Sequence, residues 1–323
     1  MRASVWRWVW LAVTAAAAAA VPLLVRGEYA LGLVTAIAIN TIVVLGLNLL
    51  IGYAGQISLG QAAFVGIGAY AAAILAARHG VSPWLALGAG VILSAVTAAI
   101  VGTPLLKLRG HYLAMGTLGL GIIVQTVMVQ WDSLTGGTTG IMSIPPLSIA
   151  GLKFEGGRMY YPAAAFMLLV LLMSSNLIAS RVGRAMRAVH GSEVAAETAG
   201  VDTGRYKLQV FILSGAFAGL AGALYAYHAS YIVCDTFGFH YSIQLVVMTV
   251  LGGMASIWGA VFGAAAVTLI GEYLRAYQEY STIIFGLVLV LVMLFFPEGI
   301  WRGSTRALAG VSRLLRRTRP QEA

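Results

Sequence analysis

Side chains able to do acid-base, nucleophilic or metal chemistry are few in this chain, and where they fall says more than how many there are. Eleven carboxylates and five histidines are spread over 323 residues. His79, His111, His190, His228 and His240 include no pair four residues apart, the spacing that puts two imidazoles on one helix face around a metal ion. Cys234, the single cysteine, allows no internal disulfide and no thiolate cluster, and reads as a small apolar filler. GYAGQISLG at 52–60 is glycine-rich but lacks the Lys-Ser or Lys-Thr pair that would reach phosphates and magnesium, so nucleotide hydrolysis is not expected here. No catalytic cluster assembles at one depth. The chain does not read as an enzyme, and no cofactor or metal is expected.

The densest set of charged groups lies in SRVGRAMRAVHGSEVAAETAGVDTG at 180–204. Arg181, Arg184 and Arg187 recur every three residues, Gly191 breaks the pattern, and Ser192 can cap a second short helix. Glu193 and Glu197 stand four apart on one side of that helix, Ala195, Ala196 and Ala199 give it a small-sided surface, and Gly200 suits its C-terminal stop. The chemistry such a segment can do is recognition. It can seat in a groove on a soluble partner and pass on a rigid-body push, or it can be a solvated connector.

The elements that hold this island are apolar. Hydrophobic residues make up 60% of the chain and charged residues 10%, which places it among all-α, polytopic membrane proteins. A core of about 30 Å needs roughly 20 residues of helix. On that ruler ten spans are expected, near 6–25, 31–51, 60–77, 83–106, 112–131, 161–180, 208–231, 241–256, 258–275 and 281–297. With both termini cytoplasmic, 15 of the 20 basic residues fall inside, among them Lys107, Arg109, Arg205 and Lys207, and only Arg26, Arg78, Lys153, Arg158 and Arg275 fall outside. The net charge of +9 is then a topology signal. The basic tail, 298–323, is expected on the anionic inner leaflet lipid and not on nucleic acid. The first 25 residues resemble a secretory signal, but their apolar run exceeds the usual signal core, so a retained first span is expected. Residues 1–323 form one membrane domain, with a cytoplasmic loop at 181–207 and an extracytoplasmic loop or short hairpin at 132–160.

Glycine interrupts the spans at 52–60 and again in LGGMASIWG at 251–259, where broken or re-entrant helices are expected. Tight helix packing is the competing reading, and it is preferred for the pairs Gly215 with Gly219 and Gly259 with Gly263. Gly52, Gly55, Gln56, Ser58, Gln61, Thr117 and Gln125 are candidates for lining a translocation pathway, because a polar group in hydrocarbon needs partners. Spans two, three, five, seven and eight contain no Asp, Glu, Lys or Arg, so a driving ion has no obvious seat. Asn40, Asn48, Gln244, Thr249 and the polar candidates above would suit a neutral or zwitterionic solute, or would bond helices together. The energy source should lie outside the chain.

Five stretches, in order along the sequence, resemble the permease subunits of bacterial ATP-binding-cassette importers for branched-chain amino acids. They are NLLIGYAGQISLGQAAFVGIGAYAAAIL (48–75), LRGHYLAMGTLGLG (108–121), LTGGTTGI (134–141), GRAMRAVHGSEVAAETAGVDTGRYKLQVFILSGAFAGLAGALYA (183–226) and LGGMASIWGAVFGAA (251–265). The resemblance implies two cytoplasmic ATP-binding subunits, a second homologous permease and an extracytoplasmic solute-binding protein as partners, in a bacterial inner (plasma) membrane. It implies leucine, isoleucine and valine as cargo, with urea or short amides as the alternative within the same family. An ion-coupled secondary transporter or channel is the alternative of another class. By the same resemblance the segment around Val194 to Gly200 corresponds to the importer coupling motif, Glu-Ala-Ala-xxx-Gly, with Val194 standing where the motif has Glu and Glu193 one position earlier. The residues implied in coupling to the ATPase are Gly183, Arg184, Arg187, Glu193, Val194, Ala195, Ala196, Glu197 and Gly200.

Overall fold

The computed structural model describes residues 27–149, 151–274, 286–287 and 290. The expected first span and the basic tail lie outside these residues, as does nearly all of the expected tenth span. Among the described residues, seven helical segments are long and apolar enough to cross a membrane. They contain the α-helices α1 (Glu28–Asn48), α2 (Gln61–Ala73), α3 (Pro83–Leu105), α4 (His111–Gln130), α6 (Tyr160–Ala179), α9 (Thr203–Ala229) and α11 (Ile257–Leu274). Helices are the form an apolar chain must take in hydrocarbon, because each backbone amide and carbonyl is satisfied within the segment. Their outward surfaces stay greasy: Ile92, Ile100, Ile122 and Ile123 are exposed on α3 and α4.

Two boundaries differ from the sequence expectation. α9 begins at Thr203 and not at 208, so Arg205 and Lys207 belong to its first turns. α10 (Phe239–Gly252) has 14 residues, roughly 21 Å of helix, too short for a full crossing. The chain turns at Gly253 to Ser256 and α11 packs back on α10, which makes 251–259 the tip of a helical hairpin. The expected eighth span, 241–256, is thus held by a helix shorter than its neighbours.

α9 sits at the centre, packed chiefly on α2, α3 and α1. Its glycines set how close the neighbours come. A Cβ on Gly215 would lie 2.6 Å from Ala98 Cβ, and one on Gly219 would lie 2.5 Å from Ser94 Cβ. A methyl on Gly222 would overlap the Val65 carbonyl, and one on Gly68 would overlap the backbone of Gly219. In the gap so formed, Ser94 Oγ donates to the Gly215 carbonyl at 2.7 Å and lies 3.1 Å from that of Phe64. The packing reading holds for Gly259 and Gly263 too, which meet the backbone of Gly252 and Met248 across the hairpin.

Between α4 and α6 the segment 132–160 carries one turn of helix, α5 (Asp132–Thr135), and an antiparallel pair, β1 (Ser148–Ile149) and β2 (Leu152–Lys153), in which Ser148 faces Lys153. This is the short hairpin expected of its Gly, Ser and Pro content. It has no core of its own and instead buries Ile144 and Leu147 in the bundle.

Gly222→Val should separate α2 from α9 and cost about 1–3 kcal/mol of overpacking. The thermal midpoint of the purified protein in detergent should fall, whereas Gly88→Ala, where nothing lies within 4 Å of the added methyl, should leave it unchanged.

Candidate functional site

The charged island folds as two short helices, α7 (Arg181–Gly191) and α8 (Glu193–Thr198). Each starts on a serine cap: Ser180 Oγ accepts from the Val182 amide at 3.1 Å and Ser192 Oγ from the Ala195 amide at 3.3 Å. Gly183, Met186 and Val189 recur every three residues on the buried face of α7, which leaves Arg181, Arg184 and Arg187 exposed. On α8, Ala196 is buried while Val194 (65% exposed), Ala195, Glu197 and Thr198 face outward. Gly200, at φ +82°, ends the helix, and the Val201 amide turns back to the Ala196 carbonyl at 3.0 Å.

Glu193 points inward. Its carboxylate holds the ammonium of Lys207, whose side chain is 5% exposed against 23% for Glu193 itself. Gln56 Nε2 donates to the same carboxylate at 3.4 Å, and Arg109 Nε, on a largely exposed side chain, lies 3.7 Å from its second oxygen. Burial would raise the Glu193 pKa, but the bond and charge of Lys207, helped by Gln56 and Arg109, outweigh it and hold the carboxyl below its usual range. One turn further on, Thr203 Oγ1 donates to Glu197 Oε1 at 2.7 Å. The loop after α1 reaches the same place: a Cβ on Gly55 (φ +69°) would lie 3.1 Å from the ring of His190.

Lys207 and Arg109 entered the sequence reading only as inside-facing basic residues. A signal for Lys207 was present: Glu193 with Glu197, and Thr203 with Lys207, are two four-residue repeats flanking the Gly200 stop, the pattern of an antiparallel helix pair.

Several of the expected pathway residues make bonds or contacts between elements. Gln61 Nε2 bonds Ser214 Oγ at 2.9 Å and its carbonyl at 3.0 Å, tying α2 to α9. Thr117 accepts from the Leu59 amide at 2.9 Å, Gln125 is half-buried against Gly238, and Ser58 Oγ is buried with no hydrogen-bond partner among the described residues. Gly52 lets α1 touch the hairpin tip, where Asn48 Oδ1 accepts from the Ala255 amide at 2.9 Å and Asn48 Nδ2 donates to the Ser256 carbonyl at 2.7 Å. The α1 chain is widened there into a π turn, Leu49–Tyr53. A cavity of about 750 Å³ opens at the other end of the bundle, between α1, α9, α10 and α11. None of the seven pathway candidates lies on its wall, although Asn40 and Gln244 of the wider polar set do. Tyr241 donates to Asn40 at 2.9 Å, and Asn40 to Thr268 at 3.0 Å, across three helices.

Membrane-length helices beside a shorter helical hairpin, with polar bonds sewn between them and a charged two-helix element at one end, define a multi-pass membrane protein. Residues 29–296 match the family described as branched-chain amino acid transport system / permease component, and the chain belongs to that family. It is 34% identical over 280 residues to the high-affinity branched-chain amino acid transport system permease protein LivM of Salmonella typhimurium, and 33% identical over 280 residues to that of Escherichia coli. Each match covers 79% of this chain and 66% of the relative, so the chain spans just under two thirds of their length. The probable branched-chain amino acid transport permease protein LivH of Methanocaldococcus jannaschii is 25% identical over 296 residues, 84% of this chain and 92% of that one. No solved structure matches the chain significantly.

Asn48→Leu should strand the Ala255 amide and the Ser256 carbonyl, at about 1–3 kcal/mol for each buried group left unpaired. The readout is a lowered thermal midpoint together with raised labelling of a cysteine placed at Ser256. For Glu193 the sign follows from a folded pKa below the unfolded 4.5. Its contribution is complete above 4.5 and is lost as pH falls through the lower folded value. The difference in thermal stability between wild type and Glu193→Gln should be flat at neutral pH and shrink only in acid below that range.

Proposed function

We propose that the chain is the transmembrane permease subunit of an ATP-driven importer for branched-chain amino acids, with ten membrane segments of which the short α10 is one, both termini cytoplasmic, in a bacterial inner membrane. ATP hydrolysis then belongs to two separate cytoplasmic subunits. A second permease completes the path, and an extracytoplasmic binding protein delivers leucine, isoleucine or valine. Family membership over 29–296 carries this reading, and the architecture supports it. The α7–α8 element offers an arginine stripe and an apolar, small-sided surface at Val194 and Ala195, the kind of exposed face on which a soluble subunit can seat. An importer of urea or short amides would share every one of these features and differ in its binding protein. A secondary transporter is less favoured: among the described residues the buried Lys207 is held by Glu193 and is not a lone charge awaiting an ion.

Co-expressed with the ATP-binding subunits, second permease and binding protein, the chain in proteoliposomes should accumulate labelled leucine only with ATP. The lone chain should accumulate nothing, and active uptake by it would overturn the reading. Arg184→Glu combined with Arg187→Glu should lower co-purification of the ATP-binding subunits by about tenfold while membrane insertion is unaffected.

A further inference from the structure

The sequence pattern invites the view that Glu193 is a contact for a soluble subunit, yet its carboxylate is spent inside the chain. Three segments far apart in sequence meet on it: Gln56 from the loop after α1, Arg109 from the turn before α4, and Lys207 from α9. The pairing with α9 has a definite geometry. Glu193 bonds Lys207 and Glu197 bonds Thr203, so residues four apart on α8 meet residues four apart on α9 in antiparallel order. Two rungs one turn apart fix both the register and the rotation of α8 on α9, which a single rung or a greasy contact would leave free. α9 in turn is locked by glycine contacts to α2 and α3 at the centre of the bundle, where small displacements cannot be absorbed locally.

We propose that Glu193 is a positioning residue whose bond to Lys207, with the Glu197 to Thr203 bond one turn along, joins α8 rigidly to α9 so that a displacement of α8 is delivered to the centre of the bundle. The contact surface for a soluble subunit is then the outward face, Arg184, Arg187 and Val194, and Glu193 lies behind it. This rests on the coupling role assigned to α7–α8 under the proposed function, and the two can fail separately.

The test uses the assembled importer in proteoliposomes, reading three quantities: ATP-binding subunits retained on purification, ATP hydrolysed, and leucine accumulated. Glu193→Gln and Lys207→Met should each keep the ATP-binding subunits bound but lower leucine accumulated per ATP hydrolysed by about tenfold. The exchange of Glu193→Lys with Lys207→Glu should recover a good part of that ratio. Glu193→Leu with Lys207→Met leaves no stranded charge, so the chain should fold and assemble, since apolar replacement of a buried pair is often neutral for stability. It should remain uncoupled, which a purely structural role would not produce. Arg109→Gln, on an exposed side chain, should lower the ratio by only about twofold. Unchanged transport per ATP in both single variants overturns the joint. Loss of the ATP-binding subunits in Glu193→Gln, with no recovery by the charge exchange, also overturns it and returns Glu193 to the docking surface. Loss of ATP-dependent uptake in the wild-type assembly would instead overturn the importer reading itself.

Discussion

How closely α9 can lie against α2 and α3 governs the rest of this bundle. Between apolar helices in lipid there is no hydrophobic gain from association, so contact area and short polar bonds must hold them. Gly215, Gly219 and Gly222 on α9 bring backbone to within a methyl radius of Ala98, Ser94 and Val65, and only at that separation can Ser94 reach carbonyls on two other helices. A central helix held in this way is stiff. Whatever is fastened to its first turns moves with it.

The same shortage of partners in hydrocarbon explains where the irregular backbone lies. α10 stops short of a full crossing and the chain reverses at Gly253 to Ser256, which leaves an amide and a carbonyl exposed to an apolar interior. Asn48 satisfies both from α1, and Gly52 makes the room for it. Irregular structure survives at membrane depth where protein covers it and supplies the hydrogen bonds. Polar residues that looked like pathway lining in the sequence, Gln61 and Thr117 above all, have this second use, as bonds between elements. Sequence alone leaves the two uses equivalent, since both call for a neutral polar side chain in an apolar run.

Charge follows a comparable division. On α7 and α8 the arginines and Val194 face outward while Glu193 turns in, so one short segment presents a surface and grips the bundle at once. The cavity at the far end, with Tyr241, Asn40 and Thr268 bonded across its wall, is an opening that the spacing of polar residues along single helices did not point to. Its walls come from four helices at four different places in the chain, and no local pattern carries that information.

Local rules determined a good deal. Apolar runs of crossing length gave the membrane helices, because hydrocarbon permits little else; serine caps and the Gly200 stop gave α7 and α8, because capping is settled within a few residues. The glycine spacing on α9 and α11 signalled close packing correctly, as did the composition of 132–160 for a short surface hairpin. What the tertiary structure alone decided is direction and pairing: that Glu193 faces Lys207 and not the surface, that α9 begins early enough to bury that lysine, and that the tip after α10 stops at Asn48. These depend on which distant segments arrive at the same point, and the free energy of a buried charge or an unpaired amide is fixed by those neighbours and not by its own place in the sequence.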